Sequence, residues 1–225
     1  WAGSIARGLE NRSLKWETTD TKNIGLDFGF FNNKLTGAMN YYYNQTEELL
    51  ITKALPPSAG LNNPILNVGK IRNSGVEVEI NWADSKGGFD YNIGMNFSTT
   101  KNKVVELADK GQVLYGEGLK YGTEHFPTQT RVGKPIGAFY LYKTNGLFQS
   151  NEEARQYVNA DGDEYQPFAD AGDIRYVDVN GDGYIDDDDK VYCGSGIPTL
   201  EVNLNFSAGY KGFDLSVVLG SAWGH

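Results

Sequence analysis

The sequence has one cysteine, Cys193, and two histidines, His125 and His225, among 225 residues. A single cysteine excludes an internal disulfide, so sheet hydrogen bonds and packing must hold the fold. Two isolated histidines are too few for a zinc site or a nucleophilic triad. The neighbouring acids at 47–48 and 152–153 are not identified as a glycosidase pair. The acids at 47–48 lie on a predicted strand, where adjacent side chains point to opposite faces. No enzymatic activity is therefore expected.

A long apolar run is also missing. No stretch reaches the roughly 18 consecutive apolar residues of a membrane-spanning helix, whereas the strands of a membrane β-barrel are too polar on average to register in this way. The chain starts at Trp1 without an initiator methionine or a signal peptide and ends directly after a predicted strand. We expect it to be a fragment of a larger protein.

Basic residues are in the minority: 20 Lys and Arg against 29 Asp and Glu give a formal net charge of −9. This charge argues against nucleic acid or another polyanion as a partner. The acidic residues concentrate between Asp161 and Asp189. Such a concentration suits a divalent cation better.

What the sequence does contain is alternation of apolar and polar residues with a period of two. In the first clear case Leu26, Phe28 and Phe30 are separated by Asp27 and Gly29, as on a strand that lies between two different environments. The connections between such strands are alternately short and long. Six strands are predicted, over residues 22–32, 34–47, 74–83, 88–101, 199–210 and 212–222.

Short turns, long loops and an apolar face with aromatic borders are typical of outer-membrane β-barrels. Six strands cannot close such a barrel, whose smallest types have about eight, and open edges are not tolerated in lipid. The predicted fold is therefore all-β, an antiparallel meander that forms part of a larger transmembrane β-barrel with long external loops. Its parts are barrel strands with the external loop 48–73 in residues 1–101, an external insertion at 102–198, and a barrel hairpin at 199–225.

The insertion at 102–198 is too long to be an unstructured loop, so we expect it to have elements of its own. Residues 135–142 have the pattern of a short strand. Residues 150–157 predict a short helix, in which Ser150 is the N-cap and Glu153 completes a capping box.

One segment of the insertion, residues 178–189, has the spacing of a calcium-binding loop, D-x-[DN]-x-[DN]-G. Gly183 permits the sharp turn, and Asp189 stands where EF-hands carry a bidentate Glu. The predicted Ca²⁺ ligands are the side chains of Asp178, Asn180, Asp182, Asp186 and Asp189 and the main-chain carbonyl of Tyr184.

The residues around this loop have extended rather than helical patterns. We therefore expect a free-standing structural calcium loop inside a β-hairpin, with no base or nucleophile beside it to suggest catalysis. The alternative is a run of Asx turns on a solvated acidic loop. We favour the ion, because many aspartates packed together without a counter-charge would repel one another.

Four segments resemble, in their order and spacing, the C-terminal barrel portion of SusC/RagA-type TonB-linked outer-membrane proteins. The resemblance extends over nearly the whole chain. The segments are Leu14–Thr19, Asn67–Glu77, Arg131–Tyr140 and Gly172–Gly183.

This resemblance implies a barrel of 22 strands with an N-terminal plug, in the outer membrane of a Gram-negative, Bacteroidetes-like cell. It implies contact with the lipid bilayer and a SusD-like surface lipoprotein as partner. It also implies energy supplied by TonB through an N-terminal part that this sequence lacks. The substrate would be an oligosaccharide or, as in some members, a peptide. The family pattern assigns no catalytic residues.

Two other interpretations remain open at this point. A secreted soluble β-sandwich that binds carbohydrate, with a structural calcium, would also show alternating strands, and it predicts two packed sheets. A calcium-assisted glycosidase has less support, because no separated pair of carboxylates is identifiable.

Overall fold

The computed structural model describes residues 14–52, 62, 64–116, 119–121 and 123–225. The chain forms two compact units. The barrel unit comprises Trp1–Tyr115, Thr130–Gly137 and Ser195–His225, and the loop unit comprises Gly116–Gln129 and Ala138–Gly194. None of the described segments forms a helix with the length and apolarity of a membrane span.

Most of the regular elements in both units are strands. There is one α-helix, α1 (Asn151–Gln156), and one short 3-10 helix, Asp187–Asp189, in the described residues. The strands are β1 (Thr18–Phe30), β2 (Leu35–Thr52), β3 (Ile65–Lys86), β4 (Phe89–Thr99), β5 (Lys101–Glu106), β6 (Val113–Tyr115), β7 (Leu119–Tyr121), β8 (Thr123–His125), β9 (Thr128–Arg131), β10 (Ala138–Tyr142), β11 (Thr144–Leu147), β12 (Ile174–Tyr176), β13 (Lys190–Gly194), β14 (Leu200–Tyr210) and β15 (Phe213–Trp223).

The barrel unit is built on one antiparallel sheet of seven strands. Its order is β1-β2-β3-β4-β14-β15, and β5 also pairs with β3. β4 and β5 follow one another along β3 with only Thr100 between them. β1 and β15 are the outer strands, so the sheet does not close within the described residues. It is an arc of a larger barrel.

All six predicted strands are present, and the antiparallel meander is confirmed. β2 and β3 are longer than predicted, because β2 continues to Thr52 and β3 begins at Ile65, inside the predicted loop 48–73. Their ladder passes a bulge near Glu48, whose φ is +57°. Leu49, Leu50 and Ile51 are consecutive apolar residues, so the period of two is lost there, although the two strands continue to pair through their main-chain groups. Residues 53–61 and 63 of that loop lie outside the described residues.

The apolar face of this sheet is exposed. Leu26 and Leu204 on that face are 64% and 39% exposed. A soluble β-sandwich would bury such residues between two sheets, so the β-sandwich interpretation is not favoured.

The loop unit has a small core of its own, formed by Phe148, Ala154 and Ala169 with the half-buried Tyr157. β10 pairs with β9 and β13, and β11 pairs with β12. The strand predicted at 135–142 is confirmed as β10, which begins three residues later, after Gly137 with its φ of +59°.

The predicted helix is confirmed as α1. Ser150 is its N-cap, and the Ser150 hydroxyl accepts a hydrogen bond from the Glu153 N–H at 3.2 Å. The other half of the capping box is wrong by one residue, since the Glu153 carboxylate accepts from the Gln149 N–H at 2.7 Å. The Arg175 guanidinium donates to the same carboxylate at 2.6 Å, and this contact helps to fix its position.

The strands next to the acidic loop do not form a hairpin. β12 pairs with β11, whereas β13 pairs with β10. The expectation of a hairpin is therefore wrong. Extended character in a sequence identifies a strand but not its partner.

Candidate functional site

The two faces of the seven-stranded sheet differ in chemistry, and the strand register places like beside like. One face carries apolar side chains from β1, β2, β3, β4, β14 and β15, a surface that is costly in water and suited to hydrocarbon. This is the lipid-facing side. One cross-strand row on this side consists of Leu26, Met39, Val78, Phe97 and Val202. A second row consists of Phe28, Gly37, Ile80, Met95, Leu204 and Leu219.

Aromatic rings border the lipid-facing side at the end with the short turns. The Phe31 and Trp82 ring centroids are 6.1 Å apart. The Phe89 ring lies 5.8 Å from Tyr91 and 6.3 Å from Tyr210. Tyrosine and tryptophan prefer the level of the membrane interface, so these rings mark the interface on the short-turn side, which is periplasmic in such barrels.

Tyr41 and Tyr43 border the same face at the opposite, external end. The Arg72 guanidinium lies 5.2 Å, and the Lys22 ammonium 5.9 Å, from the Tyr43 ring centroid. The segment from Leu35 to Tyr43 has nine residues. A tilted strand needs about 9–11 residues to cross the hydrocarbon region.

The other face of the sheet lines the lumen. Asp27, Ala38, Glu79, Asn96 and Asn203 lie in one row across it. Amide and carboxylate groups on a wall of this kind offer donors and acceptors to a polar solute. A groove of about 510 Å³ on this face is lined by Thr21, Asn23, Asn40, Tyr42, Asn44 and Glu77.

The acidic loop 178–189 is closed by its own main chain. The two Asp178 carboxylate oxygens accept from the N–H groups of Gly181 and Gly183 at 2.6 and 2.9 Å. The Tyr165 hydroxyl also donates to Asp178, at 3.3 Å. The Tyr165 ring lies 4.9 Å from that of Tyr157, so Asp178 is tied to the core of the loop unit.

Asp189 closes the other side of the loop and is fully buried. One of its oxygens accepts from the N–H groups of Val179 and Asn180 at 2.7 and 3.3 Å. The other accepts from the Asp186 N–H at 2.8 Å. These bonds satisfy a buried charge that would otherwise be costly.

Four pKa values in this region depart from their ordinary range, and burial is the main cause that raises the pKa values of Tyr157 and Tyr165. Burial alone would raise the pKa of Asp178, but the hydrogen bonds from Gly183, Gly181 and Tyr165 outweigh it and lower that pKa. Burial, the hydrogen bond that Tyr142 donates to Asp187, and the charge of Asp187 raise the pKa of Tyr142 to about 12.

The six predicted calcium ligands all lie on this loop, but their carboxylates face N–H groups. Asn180, Asp182 and Asp186 each accept from the N–H two residues later, at 2.9 Å in each case. These are Asx turns, the alternative considered from the sequence. In the described part of the chain, no three His, Cys, Asp or Glu side chains gather as a metal site requires. The calcium site stays a prediction.

The alternation placed the asparagines on the polar face, but sequence reasoning did not single them out as a binding surface. It also did not bring Tyr43 together with Lys22 and Arg72, because these residues lie on three different strands and only the strand register shows that they are neighbours.

Similar proteins agree with this geometry. The family model of the TonB dependent receptor-like β-barrel matches residues 2–220. The TonB-dependent receptor P3 of Formosa agariphila is 30% identical over 216 residues, which are 96% of this chain and 21% of that protein. The TonB-dependent receptor SusC of Bacteroides thetaiotaomicron is 28% identical over 215 residues, 93% of this chain and 20% of that protein.

Solved structures show the same fold. The RagAB peptide transporter superposes with a TM-score of 0.68 at 21% identity, over 94% of this chain and 22% of that one. The RagAB peptide importer in its open-open state gives a TM-score of 0.72 at 20% identity, over 98% and 22%. The chain thus spans about a fifth of the length of the relatives it matches. It belongs to the TonB-dependent receptor-like β-barrel family, whose members are outer-membrane proteins.

Proposed function

We propose that this chain forms part of the wall of an outer-membrane transporter that imports glycans or peptides. The observation that carries the proposal is the family match over residues 2–220. The relative named SusC and the structural neighbour described as a peptide transporter support import of polar nutrients. A SusD-like surface lipoprotein would cover the external end, and TonB would act through parts of the receptor outside this chain.

The lumen-facing side supplies chemistry that fits such a substrate. Glu77 and Glu79 are separated by one residue on β3, so both carboxylates face the lumen beside the amides of Asn40 and Asn96. Sugar hydroxyls and peptide groups form hydrogen bonds with amides and carboxylates. An open wall of such groups provides many weak contacts, which suits passage rather than tight retention.

The test is uptake by cells that express the full-length receptor. Deleting its gene should abolish uptake of one oligosaccharide or peptide class from a labelled panel, and the wild-type gene should restore it. Loss of TonB should have the same effect, and a tagged receptor should copurify with a surface lipoprotein. Unchanged uptake of every substrate, or uptake that persists without TonB, would contradict the proposal.

We also propose that loop 178–189 binds one Ca²⁺ as a structural ion. A carboxylate offers about four lone-pair sites, and Asp178 and Asp189 each accept three hydrogen bonds. Each therefore retains capacity for a cation, as does the exposed Asp182. The oxygen donors are of the hard type that Ca²⁺ prefers.

Calcium binding is tested on the full-length receptor after extensive dialysis. We expect about one tightly held Ca²⁺ per receptor from this loop, lost in the variant Asp182→Asn/Asp186→Asn but not in Asp161→Asn/Asp163→Asn, which lies outside the loop. Chelator should lower the unfolding temperature of the wild type and of the Asp161→Asn/Asp163→Asn control, but not that of the loop variant. Equal metal content in both variants, or melting that chelator leaves unchanged, would count against the ion.

A further inference from the structure

Basic side chains at the external end of the lipid-facing side have no part in the transport function proposed above. Lys22 on β1 lies opposite Tyr43 on β2, and both Lys22 and Arg72 approach the Tyr43 ring. Arg72 also donates to the Gln45 side chain at 3.2 Å. Its guanidinium is therefore held in place at the external tyrosine border.

Strand β5 extends this positive charge. Lys103 lies opposite Arg72 and Lys101 opposite Ser74. Ser74 and Arg72 are an even number of residues from Val76, which lies on the lipid-facing side, so they point to that side as well. We call Lys22, Arg72, Lys101 and Lys103 the basic band.

Little negative charge opposes the basic band. Within the residues that the structure describes, Lys22, Lys101 and Lys103 form no ion pair, and Lys101 and Lys103 are exposed. The nearby acid Glu47 is bound to Lys70 at 2.9 Å. Asp20, opposite Gln45, and Glu106, opposite Lys70, are further acids of this border, against the four cations of the basic band and Lys70. The face therefore carries a local positive excess on a chain whose net charge is −9.

We propose that the basic band binds the phosphate groups of the anionic glycolipid of the outer leaflet. The band lies just outside the tyrosine border, at the level where headgroups begin. Guanidinium groups bind phosphate oxygens in a bidentate manner, and ammonium groups act as point charges. Basic clusters next to a membrane-embedded surface attract anionic lipid headgroups.

The apolar rows next to the basic band indicate that its ligand is a lipid and not a free anion. Val76 and Val78 continue along β3 directly from Arg72 and Ser74, and Phe97 lies opposite Val78. A phosphorylated lipid would contact the band with its headgroup and these rows with its acyl chains. A free phosphate would meet only exposed cations in water, where such pairs contribute little. The occupant is therefore the lipid.

The experiment uses the full-length receptor, delipidated in detergent and titrated with purified lipid A by native mass spectrometry. Dephosphorylated lipid A and inorganic phosphate are the comparison probes. The test variant is Lys101→Gln/Lys103→Gln, and Lys101→Arg/Lys103→Arg restores the charge. The control is Lys86→Gln/Lys211→Gln, which removes two lysines next to Phe89 and Tyr210 at the short-turn end of the same face.

We expect the glutamine variant of the band to bind phosphorylated lipid A roughly ten- to thirtyfold more weakly than the wild type. The control and the arginine variant should bind phosphorylated lipid A as tightly as the wild type does. Removing the phosphates from lipid A should weaken its binding to the wild type by the same factor as the glutamine substitutions do. Inorganic phosphate should compete only weakly.

Three outcomes would overturn the proposal. The control variant could lose as much affinity as the band variant, which would make the effect one of net charge. Dephosphorylated lipid A could bind as tightly as the phosphorylated form, which would assign binding to acyl chains. Inorganic phosphate could displace the lipid completely at low concentration, which would make the site one for free anions.

Discussion

At the scale of single residues, the barrel unit depends on close main-chain approach at Gly75. Gly75 is buried on β3, and a Cβ there would meet the Thr99 carbonyl oxygen and the Tyr42 hydroxyl, the latter at 2.7 Å. The Tyr42 hydroxyl itself donates to the Thr99 carbonyl at 3.2 Å. The absence of a side chain at position 75 thus lets β3, β4 and the Tyr42 ring meet.

Replacing Gly75 with alanine should therefore destabilise the folded receptor by about 1–3 kcal/mol, the usual cost of overpacking. The new methyl group would press against main chain, which cannot move aside as a flexible side chain can. Thermal unfolding of the full-length receptor in lipid measures the effect. Gly196→Ala is the control, because a Cβ at position 196 has open space around it. Equal melting temperatures for the two variants would refute the packing argument.

Tyr142 gives a residue-scale prediction about pH. Its pKa is raised to about 12 in the folded state, against about 10 in an unfolded chain. Neutral Tyr142 therefore stabilises the folded state fully below about pH 10, and this contribution is lost as the pH rises through about 12. The difference in tyrosinate absorbance between the wild type and Tyr142→Phe should show a step near pH 12. Asp187→Asn should move that step to lower pH, and a step near pH 10 in the wild type would contradict the burial and the hydrogen bond.

At the scale of elements, strand β14 separates two environments along one short segment. Leu204 lies in an apolar row between Met95 and Leu219, whereas the adjacent Asn203 lies between Asn96 and Gly220 on the lumen side. Neighbouring positions on one strand should therefore respond very differently to the same substitution.

The variant Leu204→Arg should lower the free energy of unfolding by about 2–4 kcal/mol, the usual effect of a cation on the lipid face near the membrane midplane. Asn203→Arg should cost much less, because its side chain reaches water in the lumen. Denaturant unfolding of the receptor in lipid vesicles compares the two. Similar losses at both positions would show that the faces are assigned wrongly.

The elements also show how far the sequence alone leads. Alternation located β1, β4, β14 and β15 nearly to their ends, because each lies between hydrocarbon and water along most of its length. It missed the extensions of β2 and β3, where Leu49, Leu50 and Ile51 are consecutive apolar residues and a bulge interrupts the period of two. Ser150 was predicted as an N-cap because capping is local. The Glu153 contact with Gln149 was not, because Arg175, a distant residue in the sequence, contributes to its position.

In the acidic loop, too, local features could be predicted from the sequence and long-range features could not. Its spacing predicted a calcium-binding loop over residues 178–189, with a run of Asx turns as the alternative. The structure contains Asx turns there, and the ion stays a prediction. The strand partners of β12 and β13 were mispredicted because pairing depends on the path of the whole insertion. The spacing of the acidic residues does not determine whether their carboxylates bind main-chain N–H groups or an ion. That choice depends on small differences in free energy.

At the scale of the whole molecule, the account depends on one sheet with a lipid-facing side and a lumen-facing side, set in a barrel larger than this chain. The family match, the register and the two aromatic borders all agree with this arrangement. The transport proposal needs the lumen side to be wet. The lipid proposal needs the other side to face the membrane. Both consequences follow from a single assignment of faces.

Spin labels at successive positions along β14, 201–208, test that assignment most directly in the full-length receptor in lipid vesicles. Oxygen, which concentrates in hydrocarbon, should relax labels at 202, 204, 206 and 208. A water-soluble nickel reagent should relax those at 201, 203, 205 and 207. This period of two, with the even positions in lipid, is the result the account predicts. Equal access at all positions, or the reverse alternation, would contradict it.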